Sequence, residues 1–250
     1  MLEIGCIRQN KIRYLFFLFF LKMTVTFYSI NVTANVPITI KCAIATGYPP
    51  YQYTENGTPR GIDTKLIHLM NKHSQDLKIE IHPMLWSDAM ATLSFTNKLD
   101  CIFGMEINES RSKRFLFTKP LYTRNSSLFV LADSKYKKLT DLYDLKVSSD
   151  EDSLLHDELY QMKKFRLVKV YTKEDAFKKL VTKETAAAIF PERIGIYFSK
   201  KTKTDLRILK KAKTSTNVSI AIKSENLQKS FNDILAKLPK SEVQKILNNF

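Results

Sequence analysis

Short apolar runs alternate with stretches of helical period along most of the chain. The segment ITIKCAIAT, residues 38–46, carries the run of β-branched and small apolar residues expected of a buried strand. In GIDTKLIHLMNKH, residues 61–73, Ile62, Leu66, Leu69 and Met70 fall on one helical face, and Asp63 lies near the helix N-terminus, where a carboxylate meets the dipole. LKIEIHPM is the next strand. Ser87 in WSDAMATLSF is placed to cap a helix whose Met90 and Leu93 point inward, and LDCIFG then closes a βαβαβ unit. This alternation predicts a parallel sheet covered by helices.

The pattern then restarts. SSLFVLA is a strand that leads to a basic, hairpin-like stretch, LKVSS a strand, DSLLHDELYQMKK a helix and RLVKVY a strand. Thr172 and Asp175 resemble a capping box ahead of AFKKLV, after which AAAIF is a strand and RIGIYFSKK a helix. NVSIAIK returns as a strand, and the helices ENLQKSFNDILAKL and SEVQKILNNF end the chain. There is no short repeat, low-complexity tract or long linker, so the expected architecture is a two-lobe α/β protein whose lobes are joined by strands.

Composition changes this picture in two places. A net charge of +15 over 250 residues invites a nucleic-acid partner, but the lysines are scattered and no aromatic or glycine-rich recognition motif accompanies them. Part of the charge belongs to the N-terminus, where Arg8, Lys11 and Arg13 precede the apolar run Tyr14–Leu21. That run is too short for a stable membrane span and reads as a secretory leader over residues 1–34, with cleavage after Ala34. An uncleaved anchor is the alternative. Export to the periplasm is the expected localisation.

Metal and nucleophilic chemistry find little support. His68, His73, His82 and His156 lie apart, no zinc-type spacing occurs, and six glycines form no phosphate loop. No metal or cofactor is expected. Cys6 precedes the apolar run, whereas Cys42 and Cys101 lie in strand-like segments. Buried free thiols are the expectation for that pair, with a disulfide as the less favoured alternative.

Three ordered segments carry a resemblance: GYPPYQYTENGTPRGIDTKLIHLM, WSDAMATLSFTNKLDCIFGMEINESRSKRFLFTKPLY and SIAIKSENLQKSFNDILAKL. Together they resemble the extracellular solute-binding proteins of family 3, which include the periplasmic glutamine-, histidine- and lysine-arginine-ornithine-binding proteins. The resemblance implies the type II periplasmic-binding-protein fold, two Rossmann-like lobes joined by two crossing strands with ligand clamped between them. It places the crossings near residues 124–130 and 217–221, lobe one at 36–126 plus 219–250, and lobe two at 127–218. It implies a monomer that binds a small polar solute and delivers it to an ABC permease in the membrane.

The same resemblance nominates a site. An arginine at the position of Arg111 holds the ligand's α-carboxylate in such proteins, and a guanidinium fork matches a carboxylate. Asn108 is placed to cap the short helix carrying it; a surface ion pair with Glu109 or Glu106 is the alternative role. Trp86 and Tyr51 fall where the family stacks flat rings against the ligand, with packing in the core as the rival role; Tyr48 fits cleft and core equally, and Met105, at the end of the strand, is nominated with them. Glu106 replaces the usual hydroxyl donor. In lobe two the usual acidic position after AAAIF is Pro191, with Glu192 next, and Asp150, Glu151, Asp152 and Ser153 replace a glycine-threonine helix start.

These departures share a sign. With Glu106, Asp152 and Glu192 at its mouth, the cleft would favour a cationic amino-acid-like or polyamine ligand; the alternative is that residues 150–152 only cap a helix. The 20 Lys and Arg against 13 Asp and Glu in residues 127–218 suggest a solvated face or contact with a membrane partner. An enzyme is not expected. The rival readings are a periplasmic cyclohexadienyl-type dehydratase using Glu106 or Glu192 as general acid, and a ligand-sensing partner of a membrane receptor.

Overall fold

A computed structural model describes residues 36–149 and 153–249. The leader and Asp152 lie outside the described residues. The first sheet has the order β5 (Leu77–Met84), β1 (Ile38–Ala45), β6 (Cys101–Glu106), β14 (Thr216–Ile222) and β7 (Leu116–Phe117), with β8 (Tyr122–Arg124) also paired to β14. Strands β5, β1 and β6 run parallel, but β14 is antiparallel to β6, β7 and β8. The sheet is therefore mixed, where alternation alone predicted a parallel one. A late strand returning from the second sheet enters this one in the opposite sense.

Pleating gives the sheet two apolar faces. On one, Cys42, Ile44 and Phe103 pack with Ile67 and Met70 of α1 (Ile62–His73) and Phe231 and Ile234 of α7 (Glu225–Lys237). On the other, Ala43, Ile102 and Met105 meet Ala89 and Leu93 of α2 (Trp86–Phe95). Helix α2 begins at Trp86 with Leu85 as its N-cap and no side-chain cap. Ser87 therefore sits inside the first turn, two residues too late to cap it, and its hydroxyl donates to Asp88 at 3.4 Å.

The second sheet has the order β11 (Arg166–Lys169), β10 (Lys146–Ser149), β12 (Ala187–Pro191), β9 (Ser126–Leu131) and β13 (Leu206–Lys211). Leu128, Val130, Val147 and Ile189 pack against Leu155 and Leu159 of α4 (Leu154–Met162). Phe129, Ala188 and Phe190 pack against α5 (Lys173–Val181) and α6 (Glu192–Thr202). Thr172 caps α5 by accepting from the Asp175 amide at 3.0 Å, as its spacing to Asp175 predicts.

The chain passes between the sheets twice, side by side. Arg124 ends β8 in the first sheet and Ser126 begins β9 in the second, so Asn125 is one crossing. The return runs over residues 212–215, because Lys211 ends β13 and Thr216 already pairs with Arg124. That places it a few residues ahead of the expected 217–221.

Cys42 and Cys101 are direct partners in the parallel register of β1 and β6, with Cα atoms 4.6 Å apart, and form a disulfide. This corrects the free-thiol expectation. Adjacent strands hold the two Cα atoms within bridging range, which the sequence pattern of two separate apolar runs does not disclose.

Candidate ligand-binding site

Strand β6 brings the chain from the core to the edge of the first sheet and ends at Glu106. A polar turn follows, in which Asn108 accepts from the Arg111 amide at 2.9 Å and so starts α3 (Glu109–Ser112). The cap turns Arg111 back over the strand end. Its side chain is buried, its Nη1 donates to the Glu106 carbonyl at 3.0 Å, and its guanidinium carbon lies 5.6 Å from the centre of the Trp86 ring. Glu109, the alternative partner, is salt-bridged to Lys113 at 2.7 Å. Main chain and indole thus hold a planar cation at the C-terminal end of a β-strand, where open α/β sheets place ligands.

The Glu106 carboxylate reaches 3.7 Å from Nη1 of Arg124, the last residue before the crossing. Arg124 is 5% exposed, and its guanidinium carbon lies 4.2 Å from the Tyr51 ring centre, 4.9 Å from Tyr48 and 5.5 Å from Tyr122. Its Nη2 donates to the Tyr122 hydroxyl at 3.0 Å, which donates in turn to Asp63 Oδ1 at 2.7 Å. Asp63 also accepts from Gln52 Nε2 at 2.5 Å, and Gln52 ties itself to the Phe103 carbonyl and the Ala45 amide. Gly104 makes this network possible. Its φ of 69° is in the left-handed region, and a Cβ there would run into the Gln52 and Asp63 side chains.

The electrostatics follow from burial. Desolvation raises the Asp63 carboxyl above its ordinary range, against the pull of Arg124 and the hydrogen bonds from Gln52 and Tyr122. Burial pushes the Tyr51 hydroxyl up to about 12 despite Arg124 nearby, and raises Tyr122. For Arg124 burial opposes the charge, but Tyr122, Tyr48 and Glu106 outweigh it and keep the guanidinium protonated.

The second sheet contributes two charged groups. Lys173, the first residue of α5, is buried with Nζ 5.7 Å from the Tyr48 ring centre. Glu192 opens α6, where its amide donates to the Asn125 carbonyl at 2.9 Å and its carboxylate meets Ser127 Oγ at 3.1 Å and Lys211 Nζ at 3.0 Å. Beside the crossing, a cavity of about 320 Å³ is lined by residues that include Tyr51, Tyr122, Arg193 and Leu247.

The nominated residues therefore part company. Arg111, Trp86 and Glu106 come together at the end of β6, and Tyr48 joins Glu106 through Arg124. Tyr51 is 2% exposed in an apolar cluster with Ile62 and Phe190, stacked on Tyr122, so its ring is not an open wall. Met105 is fully buried against Ala43 and Leu93, because its place on the pleat points it into the core. Glu192 lies by the crossing, engaged by Lys211. Arg124, Asp63 and Lys173 were not nominated. Asp63 carried a signal, since positions 63, 66, 67 and 70 share one helical face and the other three are apolar. Among the described residues no group of three or more metal-ligating side chains is placed to hold a metal, and no helix is long and apolar enough to cross a membrane.

Two mixed α/β sheets, joined at adjacent crossings and meeting around a buried cluster of charge and tyrosine, define a protein of the periplasmic-binding type II fold. The sequence model of the bacterial extracellular solute-binding proteins, family 3, matches residues 40–250, and the chain belongs to that family. It is 30% identical over 118 residues to the putative ABC transporter arginine-binding protein 2 of Escherichia coli (strain K12), an alignment covering 47% of this chain and 48% of that protein. The match thus spans about half the length of that curated relative. A mutant of ArgBP from T. maritima superposes with a TM-score of 0.72 at 24% identity over 84% of this chain and 93% of that one. A histidine kinase sensor domain with similarity to periplasmic binding proteins gives 0.74 at 24% identity over 84% and 95%.

Proposed function

We propose that the chain binds a small α-amino-acid-type solute between its two lobes, outside the cytoplasm, and delivers it to an ABC permease. Lobe one is residues 36–126 with 219–250, lobe two is 127–218, and residues 1–34 are the export leader. The observation that carries this reading is Arg111. It is a buried guanidinium aimed by a capped turn, braced by the Glu106 carbonyl and roofed by Trp86. Such a group recognises a carboxylate in two-point fashion. The name of the Escherichia coli relative, an ABC transporter arginine-binding protein, supports the amino-acid class.

Closure follows from the two adjacent crossings. Ligand held by lobe one favours the closed state to the extent that lobe two adds contacts, and Lys173 already reaches Tyr48 across the interface. Binding rather than catalysis fits the carboxylates, since Glu106 and Glu192 each face a cation of the chain itself.

Isothermal titration of the exported chain against the common amino acids tests the proposal. Saturable binding of at least one, lost in Arg111→Ala, is expected. Silence across the whole panel would refute it.

A further inference from the structure

Arg124 is a cation already seated where a ligand's cation would sit. Faces of three tyrosines surround it at 4.2 to 5.5 Å, the kind of aromatic cradle that holds ligand ammonium and guanidinium groups. It leaves the backbone at the crossing itself, paired with Thr216, so its position is fixed by the strands that join the sheets. Its charge is answered within the chain. Nη1 faces Glu106, and Nη2 reaches Asp63 through the Tyr122 hydroxyl. Lys173 approaches Tyr48 from the second sheet.

A guanidinium or ammonium entering beside Tyr48 would therefore meet a buried cation already seated in the cradle, with Glu106 and Asp63 both committed to it. Juxtaposed like charges in such a place cost several kcal/mol. One donor of Arg124 is left over. Nε of Arg124 is buried and has no hydrogen-bond partner among the described residues. A buried, unmatched N–H favours an accepting oxygen.

We propose that Arg124 is a specificity-determining residue of the cleft. It excludes side chains ending in guanidinium or ammonium and favours those ending in a carboxamide or carboxylate oxygen, the glutamine and glutamate class. This rests on the amino-acid reading above. It reverses the cationic preference that the acidic residues suggested from sequence, because Glu106 answers to Arg124.

The test is titration of the wild-type chain with glutamine, glutamate, arginine and lysine, followed by Arg124→Ala and Arg124→Lys. Wild type is expected to bind glutamine or glutamate at least about 100-fold more tightly than arginine or lysine. Arg124→Ala should narrow that ratio by at least about tenfold, and Arg124→Lys should restore most of it, which a purely structural role would not do. Should Arg124→Ala fail to fold once Asp63 loses its countercharge, the pair Arg124→Ala with Asp63→Asn takes its place. Arginine binding wild type as tightly as glutamine, or a ratio unmoved by the substitutions, would overturn the inference and leave the amino-acid reading standing. Failure of every amino acid to bind would remove both.

Discussion

Arg111 donates to the carbonyl of Glu106 at 3.0 Å, across the five residues that turn the chain from β6 into α3. The guanidinium is thereby anchored by main chain while its planar fork stays oriented by Trp86. Arg111→Ala should weaken ligand affinity by roughly 2 to 5 kcal/mol, as expected when one partner of a buried charge pair is removed. The fold itself should lose less, about 1 to 2 kcal/mol, from the Glu106 hydrogen bond and the Trp86 contact. Titration and urea unfolding of the same variant separate the two effects.

Gly104 carries a second prediction. Its positive φ and the crowding of Gln52 and Asp63 both oppose a side chain. Gly104→Ala should cost roughly 2 to 4 kcal/mol in urea unfolding, combining backbone strain with displacement of a packed hydrogen-bond network. A loss below about 0.5 kcal/mol would show that the network under the strand yields freely.

Alkaline pH reads out the burial of Tyr51. Its hydroxyl is held up to about 12 in the folded chain, whereas an unfolded tyrosine ionises near 10. Between those values the unfolded state gives up a proton that the folded state keeps, so stability falls as pH rises from 10 to 12. The total is about 2 to 3 kcal/mol. Tyr51→Phe should remove that component and flatten the pH profile of the urea midpoint above pH 10.

The disulfide makes a fourth. Cys42 and Cys101 close a loop with a sequence separation of 59, and the loop-entropy model assigns such a cross-link about 4 kcal/mol. Replacing both cysteines with alanine should lower stability by roughly 2 to 4 kcal/mol while leaving ligand affinity unchanged, because both lie fully buried in the first sheet.

Much of the fold was legible because apolar period and helix caps are local signals. Thr172 and Asn108 cap where their spacing says they should. Strand β13 was missed because Leu206–Lys211 mixes Leu and Ile with Arg and Lys and no residue in it is buried, so no apolar run marks it. The short sheet of β2 (Gly47–Tyr48), β3 (Gln52–Glu55) and β4 (Thr58–Arg60) was missed because its strands are two to four residues long. Arg124 sits in LYTRNSS, where the resemblance marks only the start of a crossing and no apolar period signals burial. Only the return of β14 beside β8, a contact spanning residues 124 to 216, buries it against tyrosines from elsewhere in the chain.

The most direct test of the account is a crystal structure of the chain saturated with its tightest amino-acid ligand. The account predicts both α-carboxylate oxygens at about 2.8 Å from the Arg111 guanidinium, beside Trp86 and between the two sheets. A ligand bound elsewhere, with the Arg111 guanidinium touching no part of it, would contradict it.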